Sequence, residues 1–533
     1  MSPIDVDRLG FELQKHPDRH FVEYLLSGLR FGFDTMVSTL DLPIIECKNL
    51  LSAARDSETV DSLIEQEVQK GYIKGPFDAP PFSVYRVSPI GIAEGKYSGK
   101  KHLILDLSSP HNDAVHSSIN DLIDKESCSL SYVKIDDAIS AIKHCGKHAI
   151  LNKTDITDAF KQLGIRRDQH HLYCMKWKGL YYYYVRLCFG SRSSPCIFDT
   201  LSQAVCWIAQ ENYGIRIILH LLDDFLTIQS PETCGFRTMD ILTVIFNRLK
   251  IPISKKKTVG PTTTLEYLGI ILDTDLFEAR LPEAKIERIV TFIQSSIERK
   301  SVRKRELLQL LGHFNFAARI IRPGRSFVSH LISLSTKVDK LHHFITLSKE
   351  CREDLRMWST FLSGWNRISF FYDDQITVAG DMELFTDAAS NFGFGGYFQR
   401  KWFSSEWPLE LASSLESNLS MAFRELYPIV VAAYLWGHLW CRKRIMFHCD
   451  NEAVVNIVNK GRSKMADIMK LMRTLTWLSV RNNFIIHCKH IPGVKNVIAD
   501  ALSRFNFQTF RAAAPAAEEH PTPCPPYCKI IWN

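Results

Sequence analysis

Two adjacent aspartates between apolar runs constrain this chain more than any other feature. Asp223 and Asp224 stand in the segment HLLDDFLTI, with β-prone apolar residues before and after them. This pattern predicts a tight turn between two strands. Adjacent carboxylates in apolar surroundings repel each other and resist burial unless a cation compensates their charge. A divalent metal site would resolve that conflict, so we expect a sheet that presents carboxylates at one end.

A third aspartate has a similar setting. Asp155 ends a β-prone run in HAILNKTDITDAF. Three carboxylates suffice to anchor a pair of divalent ions, which lie roughly 3.5–4 Å apart in two-metal phosphoryl transfer, and Mg²⁺ prefers carboxylate and phosphate oxygens. An Asp-Asp pair is by itself more often an exposed turn, so a metal-site interpretation depends on the motifs around it. We call Asp155, Asp223 and Asp224 the first cluster.

The periodicity of the sequence divides the chain into regions. At 533 residues the chain exceeds one ordinary core, since domains usually contain about 100–200 residues. Short β-rich runs alternate with helical ones from about 130 to 290, and helical spacing dominates from about 283 to 365. Beyond about 381 the pattern reads ββ(β)αβααβα. The sequence therefore predicts a multi-domain α/β (α+β) protein.

Charge and composition narrow the function classes. The net charge of +7 is mild, but basic residues cluster at 255–257 and 303–305, either to neutralise phosphates or as solvated surface. No apolar run approaches the roughly 20 residues that span a bilayer. The acidic start MSPIDVDRLG does not look like a secretory signal, so we expect an intracellular protein, in cytoplasm or nucleus, whose 14 cysteines are mostly free thiols.

Five motifs around the first cluster carry a resemblance to a known family. In chain order they are KTDITDAF, VRLCFGSRSSPCIF, LLDD, ISKKKT and LEYLGIIL. Together they resemble the palm of a reverse transcriptase, and the flanks GPFDAPPFSVYRVSPIG and LLGHFNFAARIIRPGR look most like DIRS-type retrotransposons, with Gypsy-type elements and pararetroviruses more distant. The resemblance implies a right-hand polymerase that copies RNA, and also DNA, with fingers and palm at 71–275 and a helical thumb and connection at 276–380.

The resemblance also implies roles for individual residues. Asp155 and Asp223 would be the principal metal ligands and Asp224 the third carboxylate. Phe160 falls where the family places an aromatic ring under the sugar of the incoming nucleotide, and the alternative interpretation is a core aromatic. The remaining implied substrate contacts are Lys101 for the triphosphate, Phe189 and Gly190 in the nucleotide and template segment, and Lys257 as proton donor to pyrophosphate, with Lys255 and Lys256 as alternatives.

The chain departs from the family pattern beside these residues. Leu221 and Leu222 precede the aspartate pair where a tyrosine motif is usual, Cys188 replaces a proline, and His102 stands where relatives carry an arginine. No carboxylate is lost. Two alternatives stay open: a ribonuclease with an inactive polymerase half, or a catalytically decayed nucleic-acid-binding remnant.

A second set of carboxylates follows in the last region. Asp387, Glu425, Asp450 and Asp500 fall on a first strand, a helix, a strand end and a final helix, and we call them the second cluster. Glu425 interrupts an apolar helix, where an unpaired buried carboxylate would be costly. The set and its order resemble ribonuclease H over 381–506. This implies cleavage of RNA paired with DNA by an activated water.

Two neighbours complete that resemblance. His490 precedes the last carboxylate in HCKHIPGVKNVIAD, where the family has a mobile histidine that assists product release; the alternative interpretation is a structural or exposed histidine. Asn451 matches a position that contacts the RNA 2′-hydroxyl, the group that distinguishes RNA from DNA. His144, Cys145 and His148, or Cys524 and Cys528, have near-zinc spacing without a second ligand pair.

The implied cofactor is Mg²⁺, two ions per site, with Mn²⁺ as a substitute. The implied partners are an RNA template, a DNA primer, an RNA–DNA hybrid and deoxynucleoside triphosphates (dNTPs), with no membrane. Residues 1–70 are interpreted as an N-terminal extension and 507–533 as a disordered Ala/Pro-rich tail. We find no aspartic protease, integrase or tyrosine recombinase motif in this sequence.

Overall fold

A computed structural model describes most of the chain, in two compact units. The described residues are 3–38, 43–95, 99, 101–111, 113, 115–364, 368–370, 384–411, 419–463 and 465–532. The first unit is Met1–Tyr267 and the second is Leu268–Asn533. Both contain helices and several sheets, so the prediction of a multi-domain α/β protein is confirmed. The predicted boundary at 380 lies outside the described residues.

The first unit contains helices α1–α7 and strands β1–β12. The helices are α1 Val6–Glu12, α2 Arg19–Phe31, α3 Leu51–Arg55, α4 Ser57–Gln69, α5 Ile135–Cys145, α6 Ser194–Glu211 and α7 Gly235–Arg248. The strands are β1 Ile45–Glu46, β2 Ile73–Phe77, β3 Arg86–Val87, β4 Ile90–Glu94, β5 Lys101–Leu105, β6 Ile150–Asp155, β7 Cys174–Trp177, β8 Leu180–Tyr184, β9 Ile218–Leu221, β10 Asp224–Gln229, β11 Val259–Thr262 and β12 Thr264–Tyr267.

One antiparallel sheet of this unit positions the first cluster. Its strand order is β11–β6–β10–β9. Leu151 on β6 and Phe225 and Ile228 on β10 are buried, and helices α5, α6 and α7 contact the sheet. A second sheet has the order β1–β3–β7–β8–β2, and β4 pairs with β5. The carboxylates therefore lie at the end of strands whose other side chains fill a core.

The N-terminal segment is part of this unit. Val22, Leu25 and Leu29 recur at helical spacing on α2 and are buried in the same apolar core as Ile197 on α6 and Phe225 on β10. The side chain of Asn212, which follows α6, donates hydrogen bonds to the backbone oxygen and the carboxylate of Glu12 at 2.8 and 3.0 Å. Residues 1–70 thus contribute to the core of the first unit, which the interpretation as an extension did not anticipate.

The second unit contains helices α8–α17 and strands β13–β22 among its described residues. The helices are α8 Glu283–Ile297, α9 Lys304–Ala317, α10 Ser329–Ser335, α11 Lys349–Gly364, α12 Met421–Trp436, α13 Glu452–Lys460, α14 Ala466–Arg481, α15 Val497–Ser503, α16 Phe507–Ala513 and α17 Tyr527–Ile530. The strands are β13 Ile270–Asp273, β14 Glu278–Arg280, β15 Ser301–Arg303, β16 Phe344–Thr346, β17 Ile368–Phe370, β18 Leu384–Ala388, β19 Gly393–Phe398, β20 Lys401–Glu406, β21 Arg444–Cys449 and β22 Ile485–His490.

A mixed sheet holds the second cluster. Its order is β20–β19–β18–β21–β22, with β18 antiparallel to β19 and parallel to β21. The sequence of elements β18–β19–β20–α12–β21–α13–α14–β22–α15 confirms the predicted ββ(β)αβααβα pattern. Helix α15 lies close to β19, because a Cβ added at Gly395 would meet Leu502 Cβ at 2.5 Å. Glycine at this position lets α15 approach the sheet.

The C-terminal tail is packed, which corrects the expectation of disorder. Phe510 on α16 and Ile530 on α17 are fully buried. The backbone N–H groups of Glu518 and Thr522 donate to the carbonyls of Arg400 and Trp402 at 2.8 and 2.7 Å. The Ala/Pro-rich composition suggested disorder, but the tail contains a few widely spaced apolar residues that pack into the unit. Its backbone also pairs with β20, which is an edge strand of its sheet.

None of the described helices is both long enough and apolar enough to cross a membrane.

Candidate functional site

The first cluster lies where two antiparallel strands meet. In the β6–β10 pairing Asp155 is directly opposite Asp224, and Asp223 occupies the turn between β9 and β10. The backbone N–H of Ile156 donates to the carbonyl of Asp223 at 3.1 Å, which joins the turn to the chain just after Asp155. The structure therefore brings the three predicted carboxylates together at one sheet end.

Two lysines partly neutralise this cluster. Lys257 Nζ lies 2.9 Å from Asp155 Oδ2, and Lys153 Nζ lies 3.5 Å from Asp224 Oδ1. The second contact is an ion pair without hydrogen-bond geometry, since Asp224 Oδ1 is buried with no hydrogen-bond partner. Sequence reasoning missed Lys153. Its position two residues before Asp155 on the same strand is the signal, because alternate residues of a strand share a face.

The charges of the first cluster are set by burial and by each other. Burial, and then the charge of Asp155, raises the pKa of Asp223 to about 6. Burial also raises the pKa of Asp155, against the opposing hydrogen bond and charge of Lys257. Burial alone would lower the pKa of Lys257, but its bond to Asp155 and the nearby carboxylates raise it instead. The site holds excess negative charge, as a cation site requires.

Phe160 lies between two other rings. Its ring centroid is 5.0 Å from that of Phe189 and 5.5 Å from that of Phe198. Phe189 is 49% exposed, whereas Phe160 and Phe198 are buried. Phe160 is thus a core aromatic with one neighbour open to solvent, and its predicted contact with a nucleotide sugar stays a prediction.

Gly190 is required by the backbone next to these rings. Its φ is +96°, and a Cβ there would meet the carbonyl oxygen of Leu105 at 2.9 Å. Its own carbonyl accepts a hydrogen bond from the Asn120 side chain at 2.9 Å. Lys101, predicted to contact the triphosphate, is paired with Asp56 at 2.5 Å. Both nucleotide-binding roles stay predictions.

The second cluster draws its members from four elements. Asp387 is on β18, Glu425 on α12, Asp450 directly after β21, and Asp500 on α15. Asp387 and Glu425 are buried, and the charges of Asp450 and Asp500 act on both of them. Sheet and helix therefore converge on one acidic site, with the residues that the sequence predicted.

Burial dominates the electrostatics of the second cluster. It raises the pKa of Glu425 to about 9, with the charges of Asp387 and Asp450 adding to the shift. It raises the pKa of Asp387 to about 6, partly opposed by a hydrogen bond from Ser503. Asp500 accepts a hydrogen bond from Arg504 Nε at 2.7 Å. No lysine or arginine pairs with Glu425 among the ion pairs of the described residues, so an added cation would relieve the most repulsion there.

Helix α15 supplies neighbours that the sequence analysis overlooked. Ser503 is buried and its Oγ donates to Asp387 Oδ2 at 2.6 Å. Asn496 Nδ2 donates to the Thr386 carbonyl at 3.1 Å. Ser503 and Arg504 follow Asp500 by three and four residues, so helical spacing places them near its face.

Cys449 is an unexpected member of this site. Its thiol and one carboxylate oxygen each of Glu425 and Asp450 all lie within 4.8 Å of one another. Among the described residues, no other group of three or more His, Cys, Asp or Glu side chains has its ligand atoms within this distance. The carboxylates of the first cluster are therefore farther apart. The near-zinc candidates, His144, Cys145 and His148 or Cys524 and Cys528, do not form such a group either. Burial raises the pKa of the Cys449 thiol, so the thiol is protonated without a metal.

The two predicted neighbours of the second cluster lie beside it. The His490 ring nitrogen Nε2 is 3.1 Å from the carbonyl oxygen of Asp450, and the ring is exposed. Asn451 caps helix α13, with its side-chain oxygen accepting from the N–H groups of Ala453 and Val454 at 3.0 and 3.3 Å. The cap occupies the oxygen of Asn451, and its contact with RNA stays a prediction.

Comparison with known proteins relates this chain to the Pol polyproteins of retroelements. The particular relative is the retrovirus-related Pol polyprotein from transposon opus of Drosophila melanogaster, which is 21% identical over 384 residues. The match covers 69% of this chain and 36% of the relative, so the chain spans about a third of that protein's length. No protein-family model matches the chain.

The chain is also similar to solved structures of a foamy viral protease-reverse transcriptase. A dRH form in complex with double-stranded DNA has 15% identity and a TM-score of 0.49, covering 91% of this chain and 82% of that one. A complex with an RNA/DNA hybrid has 15% identity and a TM-score of 0.48, covering 91% and 63%.

Proposed function

We propose that this chain is a retrotransposon reverse transcriptase of the DIRS type with a fused ribonuclease H. The observation that carries the proposal is the presence of two convergent carboxylate clusters in one chain, each at the end of a sheet. The sequence similarity to a retroelement Pol polyprotein supports the same class of protein. Its partners would be an RNA template, a DNA primer, the RNA–DNA hybrid and dNTPs.

The first cluster fits a divalent cation by the chemistry of its donors. Asp155, Asp223 and Asp224 offer hard carboxylate oxygens, and burial together with the neighbouring carboxylates raises the pKa of the first two, which disfavours their ionised forms without a cation. Bound Mg²⁺ would supply activation of the primer 3′-hydroxyl and charge stabilisation at the α-phosphate of the dNTP. Lys257 donates a hydrogen bond to Asp155 that opposes the effect of burial on its pKa, and the Lys257 ammonium is the proton source we assign to the pyrophosphate leaving group.

The second cluster fits the same cation better still. Four carboxylates converge there, and Glu425 lacks a basic partner of its own among the ion pairs described. Bound Mg²⁺ would supply an activated water for attack on an RNA phosphodiester. Ser503 orients Asp387, and Arg504 holds Asp500 in place. His490 lies beside Asp450, where an exposed imidazole could assist product departure.

Primer extension and hybrid cleavage test this proposal separately. The purified chain is given a primed RNA template, dNTPs and Mg²⁺, and in a second reaction an RNA–DNA hybrid with labelled RNA. We expect extension that is lost in Asp223→Asn and cleavage that is lost in Asp387→Asn. Each variant serves as the folding control for the other, since each should retain the activity of the unaltered cluster.

The departures at Leu221, Cys188 and His102 make two other outcomes informative. Cleavage that depends on Asp387, without extension that depends on Asp223, would identify a ribonuclease with an inactive polymerase half. Hybrid binding without either activity would identify a nucleic-acid-binding remnant. Either result would overturn the proposal of a bifunctional enzyme.

A further inference from the structure

Helix α6 carries a polar stripe that the proposed chemistry does not use. Asp199, Ser202, Gln203 and Cys206 recur at intervals of three and four residues, so they share one face of the helix. Most of α6 is otherwise apolar and buried. A row of polar side chains in such a helix needs partners, because burying a polar group without a hydrogen bond is costly.

The stripe finds its partners on β9 and in the turn after it. Asp199 Oδ1 lies 3.1 Å from His220 Nε2, and Cys206 Sγ lies 3.3 Å from His220 Nδ1. Gln203 Nε2 donates to Asp199 Oδ2 at 2.7 Å. Both ring nitrogens of His220 are therefore engaged by α6. These contacts fix the strand that leads directly to the aspartate pair.

Ser202 reaches the turn itself. Its Oγ donates to the carbonyl oxygen of Leu222 at 2.8 Å, and Ser202 is fully buried. Leu222 has a φ of +54°, a left-handed conformation that non-glycine residues rarely adopt. Surrounding contacts must maintain such a conformation, and strained backbone of this kind is often part of a functional site.

Both peptide carbonyls of the turn are thus fixed by donors from different elements. Leu222 is held by the hydroxyl of Ser202 on α6, and Asp223 by the backbone N–H of Ile156 after β6. The first bond sets the conformation of the turn, and the second ties it to the strand of Asp155. Loss of the first would let the Leu222 peptide rotate and would displace the carboxylate of Asp223.

We propose that Ser202 is a positioning residue of the first cluster, which holds the strained Leu222 peptide so that Asp223 and Asp224 face Asp155. The proposal rests on the proposed polymerase function for its catalytic consequence. Ser202 touches neither substrate nor metal in this account; it acts through the turn.

The test compares Ser202→Ala with Thr200→Ala in primer extension. Thr200 lies on the same helix, but its hydroxyl donates to the Ile197 carbonyl within α6, so it controls for loss of a helix hydroxyl. We expect kcat of Ser202→Ala to fall by about 10- to 100-fold, because small displacements of catalytic groups have effects of this order. In Ser202→Ala, the KM for dNTP and the rate of hybrid cleavage should stay near their wild-type values. In Thr200→Ala, kcat should also stay near wild type.

Rescue distinguishes the hydroxyl from mere packing. Ser202→Thr keeps the donor and should recover most of the lost kcat, with Ser202→Cys as its replacement if the larger side chain lowers the melting temperature. The proposal is overturned if Ser202→Ala extends primers at the wild-type kcat, if hybrid cleavage falls equally, or if no donor-bearing variant recovers activity.

Metal binding separates this proposal from the polymerase proposal. Mn²⁺ binding is measured by electron paramagnetic resonance in a background of Asp387→Asn and Glu425→Gln, which replaces the two buried carboxylates of the second cluster. One outcome is that the protein with Ser202 gives no primer extension but Ser202→Ala still weakens Mn²⁺ binding severalfold. The polymerase function then fails and the positioning role stands. Equal Mn²⁺ affinity with and without the hydroxyl, or no binding at all, overturns the positioning role.

Discussion

The two carboxylate clusters answer the same electrostatic problem in different ways. In the first, Lys257 and Lys153 stand against two of the three aspartates, and the pKa of Asp223 reaches about 6. In the second, Arg504 pairs with the half-exposed Asp500, while burial raises the pKa of Glu425 to about 9. The first cluster is partly compensated by its own chain. The chain compensates less of the charge of the second cluster, where the proposed cation would have the larger effect.

This difference follows from where the carboxylates lie. A hairpin end is bordered by neighbouring strand residues and loops, and long basic side chains such as Lys257 can reach it from outside. Glu425 lies on a helix that is buried along most of its length, in a core where a lysine could not keep its ammonium in water. Burial therefore determines how much of the negative charge at each site the chain itself can compensate.

The largest expected effect is loss of hybrid cleavage in Glu425→Gln. The amide keeps the size of the side chain but removes the carboxyl group whose pKa is shifted most in the second cluster. We expect cleavage to fall on the order of 1000-fold while primer extension is unchanged. Cleavage rates with a labelled hybrid and extension rates in the same preparation measure it. Residual cleavage within tenfold of wild type would contradict a cation-dependent second cluster.

Lys257→Ala should have the next largest effect, on primer extension. It removes both the basic partner of Asp155 and the assigned proton donor, so we expect a loss of about 100-fold, within the usual range for general acid–base groups. Single-turnover extension is the measurement. Lys255→Ala and Lys256→Ala are matched controls on the same segment, and an equal loss in either would mean that the basic run acts only through its overall charge.

Metal-free stability should depend on pH through Glu425. The carboxyl has a pKa of about 9 in the folded chain against an ordinary 4.5, so between these values the folded state holds a proton that the unfolded state releases. The free energy of unfolding should therefore fall as pH rises through this window, by up to about 1.4 kcal/mol per pH unit. Asp387 adds a change of the same sign below about pH 6.

Urea titrations with a chelator from pH 5 to 8.5 measure this slope. Glu425→Gln should flatten it, and added Mg²⁺ should do the same in wild type by stabilising the ionised carboxylates. Asp223→Asn, which alters the more compensated cluster, should leave most of the slope in place. A slope unchanged in Glu425→Gln would show that its carboxyl is not the titrating group.

Ser503→Ala should have the smallest effect. Without the hydroxyl, Asp387 loses one hydrogen bond of 2.6 Å but keeps its place on β18, so we expect about a fivefold slower cleavage. Ser404→Ala is the control, since its hydroxyl donates to the Leu502 carbonyl in the same region without touching a carboxylate. Equal effects of the two substitutions would argue for packing and against orientation of Asp387.

Much of the fold and the clustered carboxylates could be predicted from the sequence. The period of apolar residues marked the strands around Asp155 and Asp223, and the order of elements after β18 was read correctly. What could not be predicted depends on contacts between distant segments. The sequence places Lys153 on the same face as Asp155, but its contact with Asp224 depends on the pairing of β6 with β10. The approach of Glu425 to Cys449 and the packing of the tail against β20 likewise depend on segments far apart in the sequence.

Local departures from the family pattern were also hard to evaluate from the sequence. Leu221 was noted as the replacement of a motif tyrosine, but the left-handed backbone of the next residue, Leu222, and its bond to Ser202 depend on how α6 packs against β9. The sequence shows the polar stripe on α6 by its helical spacing. It does not show that Ser202 in this stripe bonds to the Leu222 carbonyl.

The pairing of the tail with β20 has a practical consequence for dissecting this protein. A fragment that ends after residue 506, where the resemblance to ribonuclease H stops, would remove Phe510 from beside Trp402 and strip the cover from an edge strand. Such an edge readily recruits a strand from another molecule. Fragments that contain the second cluster should therefore retain the residues through Ile531 if they are to stay monodisperse.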